Sequence, residues 1–425
     1  MTTTTETPTS GAPLPEPPDE ERATVGQLVS EYVARVRGGD VGALPAVLGL
    51  IVLVIVFSAL RPDTFTSELN FANLINQSAA VTVIAMGLVF VLLLGEIDLS
   101  AGWTGGTAAA VMGVVMTNHN QNWVISVLAC LATGAVIGTC IGLLVARLGI
   151  PSFVVTLAAY LGLQGVILEI VGEGGTIPFE NDTIRAITDK NLPIWLGWTL
   201  AVILIVGYAG VTYLRNAQRR RAGLQHEPML LWAIKSGSLL VIVVLIVGYL
   251  SRERSLNPTF RSLKGVPISL VVILGLVLVL SFLLSRTAWG RHVYAVGGNA
   301  EAARRAGINV TRIKLTCFML CSTVAAVGGL LLAARNHSVS VATGGNETLL
   351  YAVGAAVIGG TSLFGGKGRV VDALIGGTVV AVIANGMGLL NKPPGVVYIV
   401  TGLVLLVAAS VDAISRRRAT ATGRI

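Results

Sequence analysis

Charged side chains are scarce: Asp, Glu, Lys and Arg make up 12% of the 425 residues, about half the ~25% usual in soluble domains. That deficit excludes an ordinary water-soluble globule. Aromatics are few as well, at 6%. No basic patch is interleaved with them, so the net charge of +8 does not point to nucleic acid. The four cysteines, Cys130, Cys140, Cys317 and Cys321, lie in apolar runs without zinc-ligand spacing. They read as small apolar packers, not as metal ligands or disulfide partners. No metal or cofactor site is visible, and neither is a cleavable signal peptide. A phosphate-binding loop is missing too. Thr361 to Lys367 ends in Gly366-Lys367, but its first glycine is absent and Gly368 stands where Ser or Thr would bind magnesium.

What the chain does have is apolar length. Hydrophobic residues make up 53% and glycine numbers 50, a pairing expected where transmembrane helices approach closely. A helix needs about 20 apolar residues to cross a bilayer. Runs of that kind are Val41–Leu60, Ser78–Leu94, Ala101–Met116, Trp123–Ala146, Pro151–Val171 and Trp195–Leu214. They continue with Leu230–Leu250, Val266–Leu284, Leu315–Ala334, Thr348–Gly360, Val370–Leu390 and Val396–Ala413. The expected fold is an all-α polytopic integral membrane protein of about 10–12 transmembrane helices. The shortest runs flank Gly95–Ser100 and Gly359–Gly368, which reads as broken or re-entrant helices.

The expected organisation has four parts: a disordered cytoplasmic tail over 1–23, an interfacial amphipathic helix over 24–40, a transmembrane domain over 41–413 and a basic cytoplasmic tail over 414–425. In the second part Val25, Leu28, Val29, Tyr32, Val33 and Val36 share one helical face; a solvated linker is the alternative. The positive-inside rule places both termini in the cytoplasm. It is satisfied by Arg147, Arg219, Arg220, Arg221, Arg304, Arg305, Lys314, Lys367 and Arg369, and is opposed by Arg252, Arg254, Arg261 and Lys264. A constant offset aligns Gly95 with Gly359, Leu99 with Leu363 and Gly102 with Gly366, the mark of a possible internal two-fold repeat.

Two stretches carry most of the functional information. Gly95-Glu96-Ile97-Asp98-Leu99-Ser100 sets two carboxylates between membrane-length runs, where charge is expensive. Asp98 can cap the following helix, bond a polar solute, or relay a proton together with Glu96. The second stretch runs from Asn299 to Gly307: Asn299 can cap a two-turn Ala-rich helix, and Gly307 can end it in the left-handed conformation. Its charges suit docking to a soluble surface, and a plain solvated loop helix is the alternative.

Glu301-Ala302-Ala303, followed after Arg304, Arg305 and Ala306 by Gly307, resembles the Glu-Ala-Ala…Gly loop of ABC importer permeases. The Ile and Leu-Pro expected beyond it are absent. Gly95-Glu96-Ile97-Asp98-Leu99-Ser100-Ala101-Gly102 is similar to a signature of the sugar permeases of the ribose and xylose type, with Ala101 in place of Val. Further resemblances to that branch are Gly142–Ala146 with Ile150–Leu157, Tyr294–Asn299 leading into Ala306-Gly307-Ile308, and Gly359–Ser362 with Gly365–Gly368. Ile141 and Gln164 depart from it, and the extra spans around Arg215–Pro228 favour the longer xylose type.

The resemblance implies a permease in the cell membrane that imports a monosaccharide such as xylose. It implies a second permease copy, a cytoplasmic ATP-binding subunit and an extracytoplasmic sugar-binding protein as partners. The chain itself is then not an enzyme. Asn299, Glu301, Ala302, Ala303, Arg304, Arg305 and Gly307 become the helix that contacts the ATPase. Candidates for the path are Glu96, Asp98, Ser100, Trp103, Phe153, Thr156 and Phe364. An ion-coupled secondary transporter of a small polar solute fits the same spans and carboxylates. A channel would need rings of polar residues that the sequence does not display.

Overall fold

Caps and prolines set where the helices begin. In a computed structural model, residues 42–421 are described, except 225, 226, 256, 260 and 261, together with Gly26 and Ser30. The surface helix expected over 24–40 lies outside the described residues apart from those two. The first crossing, α1 (Leu44–Leu60), is followed by a single turn, α2 (Pro62–Phe65). Ser67 then caps α3 (Glu68–Leu93), its Oγ accepting from the Asn70 amide at 3.2 Å. This start lies ten residues before the expected Ser78. Hydropathy misses it because Asn70, Asn73 and Gln77 interrupt the apolar run.

Next come α4 (Ala101–Gly113), continued by a π-helical turn over Val114–Asn118, then α5 (Trp123–Ala146) and α6 (Ser152–Val171). A short strand, β1 (Thr176–Pro178), leads to α7 (Asp182–Asp189), α8 (Ile194–Arg221), α9 (Met229–Leu250) and α10 (Ile268–Arg286). Pro151, Pro193, Pro228 and Pro267 stand immediately before α6, α8, α9 and α10. Two smaller helices, α11 (Ala288–Gly298) and α12 (Ala300–Arg305), precede α13 (Val310–Asn336). Strand β2 (Ser338–Ser340), α14 (Asn346–Ile358), α15 (Val370–Leu389) and α16 (Pro394–Ala421) complete the chain. The last helix runs on into the stretch expected to be a basic tail. Among the described residues, nine helices are long and apolar enough to cross a membrane. With α1, α4 and α14 the polytopic all-α expectation is met.

The helices sort by burial. The apolar windows of α3, α13 and α15 are 78%, 72% and 72% buried, whereas those of α8, α9 and α16 are 11%, 6% and 6% buried. The first group forms the centre with α4 and α14; the second exposes Leu, Ile and Val outward, as lipid-facing helices must. Small residues let the centre close. A Cβ built on Gly329 of α13 would lie 1.9 Å from the Gly105 carbonyl oxygen of α4, so the two backbones touch there.

The chain alternates between two ends of the bundle. One end carries an antiparallel ribbon, β1 against β2, in the register Thr176↔Ser340 and Pro178↔Ser338. The other carries α12. The loop after α9 lies at the ribbon end, and the bases described in it are held locally, two of them by carboxylates. Arg252 pairs with Glu68 at 3.3 Å, Lys264 with Glu253 at 3.8 Å, and buried Arg254 donates to the Gly265 carbonyl at 2.8 Å. This gives a physical reason for a basic loop on the unexpected side.

Two segments enter the bundle from opposite ends. Residues 95–100 enter from the α12 end. From the ribbon end, Ala342 to Gly345 run down along α4. Thr117 Oγ1 of that helix bonds Pro178 O at 3.0 Å, while a Cβ on Gly106 would meet Thr343 O at 1.9 Å. Gly106 lies about 16 Å below Thr117 at 1.5 Å per residue. The segment that descends from the ribbon end is therefore 342–345; Gly359–Gly368 forms a turn at the α12 end, with Thr361 and Ser362 buried in it. Gly344, at φ +76°, makes the descent possible where a Cβ would strike Gly102 O at 2.3 Å. At both places aligned by the expected offset the chain turns at the α12 end, but the flanking helix lengths are exchanged. Long α3 and short α4 flank the first loop; short α14 and long α15 flank the second.

Candidate functional site

The broken loop after α3 is held on three sides. Its Asp98 is fully buried; Oδ1 accepts from the Ser100 amide at 2.9 Å and from Ser100 Oγ at 2.6 Å. The carboxylate thus closes a tight turn onto Ser100, the residue just before α4. Its bonds go to Ser100 alone and not to the later amides of the helix. Oδ2 has no hydrogen-bond partner of ordinary geometry among the described residues, and the Cys321 thiol of α13 packs beside the carboxylate. The start of α6 clamps the middle of the loop. The Ile97 amide donates to Ser152 Oγ at 3.2 Å, and Thr156 Oγ1 donates to Ile97 O at 3.2 Å and Ser152 O at 2.8 Å. Glu96 is anchored by an ion pair with Lys314 from the first turns of α13.

The turn Gly359–Gly368 lies against the same loop. The Gly366 amide donates to Leu93 O at 2.8 Å, and a Cβ on Gly95 would lie 3.5 Å from Phe364 O. The end of α11 seals both: a Cβ on Gly297 would lie 1.8 Å from Leu93 O and 3.0 Å from the Gly366 amide nitrogen. Tyr294 Oη of α11 donates to Gly368 O at 2.7 Å. The loops that carry two of the resembling signatures are therefore packed together through backbone, with α11 as the third member.

From that platform α12 projects. Asn299 Oδ1 accepts from the Ala302 amide at 2.9 Å, and Gly307 at φ +82° ends the helix. Only Ala303 is buried; Glu301, Ala302, Arg304 and Arg305 are exposed. Glu301 pairs with Arg304 at 2.5 Å and with Arg305 at 3.3 Å, pairs that contribute little while solvated.

The path candidates divide. Glu96, Asp98, Ser100 and Thr156 converge on the broken loop. Trp103 is buried beside α6, one turn beyond Thr156, edge-on to Tyr160 with ring centroids 6.1 Å apart, and its Nε1 has no partner among the described residues. Phe153 and Phe364 are 54% and 64% exposed, and it is their carbonyls that lie at the loop, Phe153 O near Thr156 Oγ1 and Phe364 O near Gly95. Sequence reasoning missed Lys314 and Ser152 as the groups that hold the loop. Lys314 sits far along the chain from Glu96, and its only local signal is a lysine at the mouth of an apolar run. Among the described residues no three His, Cys, Asp or Glu side chains converge to hold a metal.

A family model described as branched-chain amino acid transport system / permease component matches residues 70–409. The xylose transport system permease protein of Escherichia coli K12 is 32% identical over 372 residues, covering 88% of this chain and 92% of that protein. The ribose import permease protein of the same organism is 31% identical, covering 86% and 92%. The fructose import permease protein of Rhizobium meliloti is 30% identical, covering 87% and 85%. No solved structure matches the chain. The chain belongs to this permease family, as a sugar ABC transporter permease of the xylose and ribose type.

Proposed function

We propose that the chain is the membrane-crossing subunit of an ATP-driven importer that brings a monosaccharide, a pentose such as xylose, into the cell. Two copies stand side by side, a cytoplasmic subunit hydrolyses ATP, and an extracytoplasmic binding protein delivers the sugar. The α12 end and both termini face the cytoplasm, and the ribbon end faces the binding protein. In this reading α12 is the element that the ATPase grips, and Asp98 positions the loop between α3 and α4 rather than reacting.

The observation that carries the reading is the contact of α11 with both loops. A push on α12 has a short rigid route, through Gly297 and Tyr294, to the Leu93–Gly95 segment and to Gly366–Gly368. Backbone packing of this kind transmits displacement because it cannot yield by a rotamer change. The test is charge reversal at both Arg304 and Arg305, followed by pull-down of the co-expressed ATPase. The expected result is loss of the complex with an unchanged elution profile of the chain. Full retention of the ATPase would overturn the assignment of α12.

One observation favours the second reading, an ion-coupled transporter. One oxygen of the buried Asp98 carboxylate has no hydrogen bond of ordinary geometry among the described residues, and the loop that carries it also carries the Glu96–Lys314 pair. Uptake that follows an imposed proton or sodium gradient without any ATPase would support it.

A further inference from the structure

We infer that this permease carries its own monosaccharide-binding site inside the ribbon half of the bundle, in a polar cavity between α3, α13, α14 and α15. The inference rests on the permease reading and adds to it a place where the sugar is held. The path candidates read from the sequence all belong elsewhere, on the broken loop and its flanks.

The cavity measures 460 Å³, within the roughly 300–1,000 Å³ usual for small-ligand sites. Its ribbon-side wall holds a buried amide pair. Asn70 Nδ2 donates to Asn385 Oδ1 at 3.0 Å, and Asn385 Nδ2 donates back to Asn70 Oδ1 at 2.9 Å. Asn385 Nδ2 also reaches Gln77 Oε1 at 3.3 Å, which fixes the Gln77 amide, and its nitrogen has no acceptor among the described residues. Amides fixed in this way are preorganised, so binding costs them little rotamer entropy.

Around that pair stand groups with unused bonding capacity. Arg335 lines one wall and Glu347 another, and neither makes a hydrogen bond or ion pair among the described residues through its side chain. The Tyr351 hydroxyl is likewise without a partner there. A guanidinium offers five donors, a carboxylate accepts, and a phenol does both. A sugar hydroxyl both donates and accepts, so this mixture fits a polyol better than an anion or a cation. The two opposite charges cancel, which disfavours ions, and they stand apart, which leaves each open to a neutral ligand. Tyr351 adds an aromatic face for the apolar side of a pyranose ring. Arg335 and Glu347 are exposed, at the end of α13 and in the first turn of α14, so both charges are accessible to a solute that enters from the ribbon end.

The route in is polar. A second cavity of 550 Å³ adjoins the first at Asn70 and Asn73, and opens among the loops of the ribbon end. A hydroxylated solute thus meets amide and hydroxyl groups from that surface to Tyr351.

The test uses cells producing the full chain on a Cys140→Ser background, since Cys140 is the exposed cysteine and the other three are buried. An Asn73→Cys variant is labelled with a membrane-impermeant thiol reagent in the presence of D-xylose, D-ribose or D-fructose. At least one of these sugars should slow labelling threefold or more, and Glu347→Gln should abolish that protection. Independently, Tyr351→Phe and Glu347→Gln should each raise the half-saturating sugar concentration for uptake at least fivefold at equal amounts of chain in the membrane. Labelling that no monosaccharide slows, absence of labelling, or unchanged half-saturation in both variants would overturn the site. Equal sugar uptake with and without the chain would instead overturn the permease reading itself.

Discussion

Replacing Lys314 with Met should loosen the broken loop far more than removal of a surface charge would. Its ammonium pairs with Glu96 where the two side chains are only 25% and 17% exposed. Breaking a fully buried pair by removing one partner costs about 3–5 kcal/mol, because the remaining charge is stranded; an exposed pair is worth about 0–1 kcal/mol. The partial exposure here sets the expected loss for Lys314→Met at about 1–3 kcal/mol. Adding Glu96→Gln removes the stranded carboxylate, so the double variant should regain at least half of that loss. The assay is equilibrium unfolding of the purified chain in mixed detergent micelles, run as a double-mutant cycle. Arg304→Met serves as the exposed control, because its pair with Glu301 is 65% and 55% exposed. The reasoning fails if Lys314→Met costs no more than that control. It also fails if the double variant is as unstable as the sum of the single ones.

Two further outcomes follow from the same structure. Asp98→Ala removes the acceptor for the Ser100 amide and hydroxyl in a fully buried turn, at about 1–3 kcal/mol for each group left unpaired. Asp98→Asn, which keeps an acceptor, should be milder, and neither should alter sugar preference; a folded variant with a switched preference would contradict the positioning role. In the loop at the ribbon end, Glu253 accepts from the Arg254, Ser255 and Leu263 amides and from Ser262 Oγ, bonds that pull its carboxyl down to about 2 from an ordinary value near 4.5. A depressed folded value means the stabilisation is present above pH 4.5 and is lost as pH falls toward 2. Hydrogen exchange at the Ser255 and Leu263 amides should therefore accelerate in Glu253→Gln at neutral pH, with the gap to wild type closing below pH 4.5; equal exchange at neutral pH would refute it.

Much of the architecture could be read from residue order because membrane helices advertise themselves by apolar length. Local chemistry was legible as well. Asn299 and Gly307 bracket α12 because a side-chain cap and a left-handed glycine act within a few residues. Asp98 was read as a group that helps start a helix, and its bonds go to the turn at Ser100. What escaped were features made by distant segments. Lys314 meets Glu96, and Asn385 meets Asn70, only because α13 and α15 pack against α3. The descent of Thr343-Gly344-Gly345 escaped for a different reason. Small residues have little hydropathy, and only the contact with Gly102 and Gly106 reveals their depth. The start of α3 was misjudged because a polar face at Asn70, Asn73 and Gln77 looks like loop until the cavity that it lines is seen.

The central claim is that the chain moves sugar only when a nucleotide-hydrolysing partner acts on α12. The most direct test is sugar accumulation in proteoliposomes containing the purified chain, measured alone and then with its ATPase, its binding protein and ATP. No accumulation by the chain alone, and ATP-dependent accumulation with the partners, is the expected result. Uphill accumulation by the chain alone would contradict the account.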